Sequence, residues 1–442
     1  MAKNEKLGVF DCMMIVVSLV IGMGIFRTPV NVAQKVPDTF LFFFTWIIGG
    51  LVALCGALTY AEIGSRLPVT GGYYKIFSYG YHHSVAFAIN CIILISNAAS
   101  LAAATLIGSE YISRILFPSI LDARAIQLRE IYISIIAIII FYGVNLLGLK
   151  MSARAQNVLT VIKISLVILL ITPLFFADSS KIPAESHMIS AGWIAYLKGF
   201  GAGLIAVSFT YGGYQQTINF GSDVKQPSRN IPRAIFMGMF LVIILYISIN
   251  YAYIRVIGID QLRNTKGIAA VMAEHVFGNA AGRILSILLF LSVLAYINVL
   301  LMSNPRVMYA MAEDGVLPSV FAKKNASTGV LVSSLTAFAA VCVLVIFWMK
   351  EFDKILGFTI FLDCFGMAAS AATVFKLRKQ NVQPVGTAIY KMKFFPVLPV
   401  IFISAYSFVA ISIAVDTPWT ALTALAVMGA FILIYFLSRK QI

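Results

Sequence analysis

The sequence predicts an all-α integral membrane protein with twelve spanning helices, the first and sixth of them discontinuous. Three observations lead to this. Of 442 residues, 60% are hydrophobic and only 12% charged, and the mean hydropathy is +0.92, a balance that leaves too few polar groups to clothe a soluble globule. The apolar residues gather in stretches of about 20 or more, the length that crosses a hydrocarbon core. Two of these stretches are interrupted midway by glycine-rich polar backbone, Ser18-Leu-Val-Ile-Gly-Met-Gly-Ile-Phe-Arg-Thr-Pro29 and Val207-Ser-Phe-Thr-Tyr-Gly-Gly-Tyr-Gln-Gln-Thr-Ile-Asn219.

In chain order the stretches lie near residues 8–34, 39–64, 84–112, 130–147, 156–177, 193–219, 232–254, 279–302, 329–348, 353–375, 394–415 and 418–437. The first follows Lys3 and Lys6 in the manner of a secretory leader, but it is long and lacks a small-residue cleavage site, so it is read as an uncleaved helix. The second ends at Arg66-Leu-Pro-Val-Thr-Gly-Gly-Tyr-Tyr-Lys75, where Pro and Gly-Gly stop a helix and turn the chain. Polar residues then mark the interior helices: Ser96, Asn97 and Ser100 on the third, Lys163 on the fifth, Tyr296 and Asn298 on the eighth, Asp363 on the tenth. Each lone polar residue also has a plain reading as an interhelical hydrogen-bond partner. Asp363 is equally open to pairing with a cation, joining a proton path or standing as a satisfied buried carboxyl. Between the seventh and eighth stretches, the half-apolar run Gly267–Phe277 reads as a short helix lying over one face. No Pro/Ser-rich linker or long soluble insert divides residues 1–442, so a single membrane domain is expected.

The net charge of +15 is spread over short loops rather than gathered in a patch, which argues against nucleic acid as a partner. Lys and Arg are more abundant in the loops that share a side with the N-terminus, so both termini are expected on the cytoplasmic side of the cytoplasmic membrane. Cys12, Cys55, Cys91, Cys342 and Cys364 all fall within apolar stretches, which indicates neither a disulfide framework nor a zinc site. A membrane enzyme would need a cluster of titratable groups near one interface. There are only four histidines (His82, His83, His187 and His275), the His82-His83 pair lacks acidic or Cys neighbours at ligand spacing, and no phosphate loop or nucleophile elbow occurs. No cofactor or metal is expected.

The two breaks carry the functional signal. Backbone that leaves its helix at membrane depth is tolerated only where protein or a water-filled cavity satisfies it. Paired breaks in secondary transporters aim helix N-termini at an anionic group near the midplane. A small solute with a carboxylate is therefore implied.

Ile21-Gly-Met-Gly-Ile-Phe-Arg-Thr-Pro29 resembles the first-helix motif of the amino acid–polyamine–organocation superfamily, usually Gly-Ser/Thr-Gly-Ile-Phe. Leu58-Thr-Tyr-Ala-Glu-Ile-Gly64, Tyr211-Gly-Gly213 with Arg229-Asn-Ile-Pro232, and Asn304-Pro-Arg306 with Glu313-Asp-Gly-Val-Leu-Pro318 resemble blocks of its L-type amino acid transporter-like branch. The resemblance runs from about residue 8 to 320, and the last helices are generic. It implies a leucine-transporter-type fold: a 5+5 inverted repeat, about 8–177 and 193–375, followed by two accessory helices at about 394–437.

It also implies roles. Gly22, Met23, Gly24 and Ile25 would offer amides to the substrate carboxylate, while Phe209, Thr210, Tyr211 and Gly212 would serve the amine and the gate. Met23 departs from the small hydroxylic residue usual there, and Phe209 matches the aromatic gate. Ser96, Asn97, Ser100, Tyr296 and Asn298 lie on elements that line the side-chain pocket. Lys163 is costly at a helix centre, about 2.5–3.5 kcal/mol on insertion scales. By resemblance its amine stands where related sodium symporters bind Na⁺, bridging helices 1 and 8. An amine held out of water is also a candidate proton carrier; the plain alternative is snorkelling to an interface. Asp223 and Arg229 resemble an inner-gate ion pair, or are a solvated loop pair.

The function implied is alternating-access transport of L-amino acids, by exchange or proton-coupled symport, with protons as a second partner. Neutral substrates are favoured because no acidic residue adjoins either break. Alternatives on the same fold are a cationic amino acid or polyamine antiporter, or a non-transporting sensor, for which the short tails supply no signalling segment. Mammalian relatives attach to a heavy chain through a loop cysteine between helices 3 and 4. Residues 113–129 contain none, so no disulfide-linked heavy chain is expected.

Overall fold

The structure, a computed structural model, describes residues 6–117, 122–176, 192–265, 267–347, 352–385 and 387–438, and these form helices joined by short turns. The first apolar stretch is α1 (Val9–Val20), a 3₁₀ turn (Met23–Phe26) and α2 (Thr28–Lys35). After it come α3 (Thr39–Arg66), α4 (Gly72–Gly80), α5 (His83–Leu116), α6 (Ala123–Leu146), α7 (Leu149–Ile171) and the short α8 (Pro173–Phe176). The second broken stretch is α9 (Trp193–Thr210) followed by 3₁₀ turns at Tyr214–Asn219 and Gly221–Asp223. The chain continues through α10 (Pro227–Ile257), α11 (Ile259–Asn264), α12 (Ile268–Phe277) and α13 (Ala281–Glu313). It ends with α14 (Val332–Phe347), α15 (Phe352–Lys379), α16 (Val397–Asp416) and α17 (Pro418–Ser438).

Local chemistry sets many of these boundaries. Asp38 caps α3 by accepting from the Leu41 amide at 2.8 Å, and Asp122 caps α6 through the Ala125 amide at 2.9 Å. Pro227 occupies the first turn of α10, where a missing N–H costs nothing. Among the described residues, nine helical segments are long and apolar enough to cross a membrane; α1 and α14 are apolar but shorter, and α15 occupies the tenth stretch. On α6 the exposed side chains Leu128, Tyr132, Ile136, Ile139 and Ile140 form an apolar stripe at helical spacing. Such a stripe faces hydrocarbon in a spanning helix.

The core lies around α1, whose residues 14–20 are all buried. It packs against α7, α10 and α13. The half-apolar run forms a helix as expected: α12 packs on α13 and α7, and α11 ahead of it sits by α2. Arg263 of α11 donates to the carbonyls of Ala33, Val36 and Pro37 at 2.8–3.0 Å and so clamps the end of α2.

A buried ion cluster secures the foot of α3. Glu62, fully buried, accepts from Arg66 at 2.8 Å, from Arg378 of α15 at 2.6 and 2.8 Å, and from the Met392 amide at 2.9 Å. Each carboxylate lone pair has a donor, the condition under which a buried charge is stable. The acidic residue of the Ala-Glu-Ile-Gly block is thus an architectural clasp.

Candidate functional site

Both breaks form at the residues whose backbone chemistry disfavours a helix. α1 stops at Val20, Gly22 is extended, and a new helical turn starts at Met23 and runs into α2. The first amides of such a turn have no acceptor within it. Opposite, α9 stops at Thr210, and Gly213 takes φ +109°, where a Cβ would also lie 2.5 Å from the Leu19 carbonyl oxygen. Only glycine fits there, since both conformation and space exclude a side chain. The two breaks are tied together: the Thr210 hydroxyl donates to Thr28 Oγ1 at 2.7 Å, and the Tyr246 hydroxyl donates to the Val20 carbonyl at 3.0 Å while lying 3.4 Å from the Thr210 carbonyl.

Between them is a cavity of about 510 Å³, large enough for an amino acid. Gly22, Met23 and Gly24 form one wall, Phe209, Thr210 and Gly212 the facing wall, and Ser96, Asn97 and Ser100 of α5 a third side. Tyr296, Lys163 and Asp363 also line it. Phe209 is 48% exposed and the cavity continues past the exposed Arg27 and Asn31, so it opens along α2. A polar network floors it: Asn97 donates to Asn304 Oδ1 at 2.7 Å, and Gln216 donates to Asn97 Oδ1 at 3.3 Å.

Five expected side chains stand elsewhere. Asn298 is fully buried and faces away from the cavity: it donates to the Ser152 carbonyl at 3.0 Å and Gln156 Oε1 at 2.8 Å, and accepts from Asn145 at 2.9 Å. Its register on α13 points it at α6 and α7 instead. The Tyr211 ring turns from the cavity to pack on Trp46 and Tyr246, centroids 5.9 and 5.1 Å away, and the Ile25 side chain is buried. Their backbones still belong to the breaks. Asp223 does not pair with Arg229. It accepts from Arg306 Nε at 2.7 Å, because the turn carrying it faces α13, whereas Arg229 is exposed on the first turn of α10.

Lys163 is 1% exposed and is not a snorkelling residue. Its amine donates to the carbonyl and the hydroxyl of Ser18, both at 3.3 Å, and the Ser18 hydroxyl donates in turn to the Ala295 carbonyl of α13 at 3.3 Å. The lysine thus joins α7 to α1 directly and to α13 through Ser18. Gln156 and Thr160, on the same face of α7, extend this polar seam.

Beyond the cavity floor the opposite face is shut by a polar layer. Arg306 pairs with Asp223 and lies over the Phe220 ring, its guanidinium 4.5 Å from the centroid; Lys75 pairs with Asp314 at 2.6 Å. Asn219 donates to Ser303 at 3.0 Å and accepts from the Tyr73 amide at 2.9 Å, and Thr70 hydrogen-bonds Ser222. A second hollow of about 570 Å³ lies on that face, lined by Thr70, Asp223 and Arg306, and shares no residue with the first. Sequence reasoning missed Ser18, Tyr246, Gln215, Gln216 and Arg306 as members of the site. Gln215 and Gln216 were legible in one respect, since both fall inside the second break.

Residues 7–437 match the family model described as amino acid permease. The chain is 26% identical to the serine/threonine exchanger SteT of Bacillus subtilis (strain 168), covering 99% of this chain and 98% of that protein. It is 25% identical to the large neutral amino acids transporter small subunit 2 of Homo sapiens and 22% identical to Asc-type amino acid transporter 1 of Mus musculus, in each case over 99% of this chain and 81% of the relative.

Proposed function

Because the chain belongs to the amino acid permease family, whose members are multi-pass membrane transporters and not enzymes, we propose that it exchanges neutral L-amino acids across the cytoplasmic membrane. The observation that carries this reading is the cavity framed by both helix breaks. A zwitterion must shed water from two charges, and fixed partners have to replace it. Amides of Met23 and Gly24, at the start of a helical turn, would take the carboxylate, joined by that of Gly22 if it leaves the Val20 carbonyl to which it donates at 2.8 Å. Carbonyls at the end of α9, around Phe209 to Gly212, would accept from the ammonium. Phe209 stands at the mouth and would swing over the bound solute to exclude water.

The names of the relatives support neutral substrates and exchange. In this reading the helices form a 5+5 inverted repeat, about 8–177 and 193–375, with α16 and α17 as accessory helices, and α1, α14 and α15 also cross the membrane. Both termini are cytoplasmic, so the open cavity faces outward and the polar layer is the inner gate. Proton symport is a second reading, favoured by the buried amine of Lys163 on the cavity wall.

Purified protein in liposomes tests both. Labelled neutral amino acid should enter only when the lumen is preloaded with an unlabelled one, and amino acid amides or decarboxylated amines should not compete. Uptake into empty vesicles driven by an inward proton gradient would replace exchange by symport. Equal competition by the amides would overturn the carboxylate site.

A further inference from the structure

Asp363 lines the cavity from α15 together with Ser96 and Asn97. It is the one acidic residue among the described cavity-lining residues. No hydrogen bond or ion pair to another described residue engages its carboxylate. This contrasts with Glu62, the fully buried acid of the architectural clasp, whose lone pairs are all occupied. Once a bound solute displaces water from the cavity, an acceptor there is costly unless that solute completes it.

The surroundings describe what would complete it. Asp363, Ser96, Asn97, Gln215 and Gln216 also border a small recess of about 30 Å³ that continues from the main cavity, with Ile89, Ile92 and Ile93 as its apolar wall. That space admits roughly one water-sized group. A hydroxyl, or the NH2 end of a carboxamide, fits it, and both are uncharged groups. Charge points the same way. Lys163 and Arg27 line the same cavity, and the substrate brings its own ammonium, so a further cation on the side chain would meet two fixed positive charges.

We propose that Asp363 is the specificity-determining residue of this site, accepting a hydrogen bond from the side chain of the transported amino acid, and that it selects neutral side chains ending in a hydroxyl or amide donor. The inference rests on the amino acid transport reading above and deepens it. A site built around a buried acceptor rejects an isostere that lacks the donor far more strongly than an apolar pocket rejects an added hydroxyl. Threonine and valine are such a pair, since they differ by one hydroxyl in place of a methyl.

The test is competition for uptake in proteoliposomes by threonine, valine, asparagine, leucine and lysine, in wild-type protein and in Asp363→Leu and Asp363→Asn variants checked for monodispersity. Threonine should outcompete valine by at least about tenfold in wild type, and asparagine should outcompete leucine. In Asp363→Leu the threonine-to-valine ratio should fall toward unity with valine uptake retained; Asp363→Asn, which keeps one acceptor oxygen, should lie between. A wild-type ratio near unity overturns the proposal even if neither variant folds, and so does an unchanged ratio in Asp363→Leu. Lysine competing better than threonine would overturn the neutral side-chain class. Absence of any carboxylate-dependent amino acid uptake would instead overturn the transport reading itself, so the two failures are distinguishable.

Discussion

Gly22 and Gly24 are equivalent in the motif but not in space. A Cβ on Gly22 would meet no heavy atom within 4 Å, whereas one on Gly24 would press on the Thr210 side chain at 3.3 Å. Gly22→Leu should therefore fold with unchanged thermal stability yet fill the cavity and cut uptake by about a hundredfold, as misplacement at a reacting or binding centre does. A monodisperse Gly22→Leu protein with wild-type uptake would remove this wall from the site. Lys163 was conspicuous in the sequence because a cation inside an apolar helix is costly. Its partner was not: Ser18 reads as one more small residue in an apolar run. Asn298 shows the converse, since a polar residue on a buried helix looks the same in sequence whether it faces a cavity or Gln156. Lys163→Ala removes charged hydrogen bonds from the junction of α1, α7 and α13. Such bonds contribute about 1.5–3 kcal/mol, so uptake should fall about tenfold to hundredfold. Wild-type uptake should be indifferent to replacing Na⁺ by K⁺. A strict Na⁺ requirement would mean that the amine does not stand in for the ion.

The helix breaks themselves were plain in the sequence, because Gly-x-Gly and Gly-Gly within apolar stretches defeat helix propensity whatever surrounds them. What couples the two breaks was invisible. Tyr246 lies 36 residues from Thr210 and 226 from Val20, in a helix that shows only apolar periodicity, yet its hydroxyl sits between the frayed carbonyls of α1 and α9. Sequence spacing cannot reveal a contact made by tertiary packing across that distance. A net hydrogen bond is worth about 1 kcal/mol. Tyr246→Phe keeps the ring packing on Trp46 and Tyr211 and should weaken substrate affinity about fivefold, with a smaller change in maximal rate, measured by uptake across a concentration series. Loss of maximal rate with affinity intact would place the tyrosine in the conformational step instead.

At the scale of the whole molecule, one cavity opens along α2 and the other lies beyond a polar layer, and the alternating access proposed above would require that layer to part while the mouth at Phe209 closes. The sequence suggested an Asp223–Arg229 gate from proximity along the chain, but proximity does not decide where a loop carboxylate points. Asp223 is held by Arg306, which also stacks on Phe220, so in the proposed cycle the same side chain would close the gate by charge and by contact. Both partners are partly exposed, 13% for Arg306 and 29% for Asp223, so solvent screening reduces the pair to about 1 kcal/mol. A bias of that size shifts a two-state equilibrium about fivefold. In a protein freed of its native cysteines and carrying Ser100→Cys in the cavity wall, an impermeant thiol reagent applied only from the gate face should react slowly. Adding Arg306→Ala should speed that labelling about fivefold, and adding Arg229→Ala should leave it unchanged. If Arg229→Ala accelerated it and Arg306→Ala did not, the gate would be the loop pair after all, and the Asp223–Arg306 contact would be a structural tie between α13 and the turn that precedes α10.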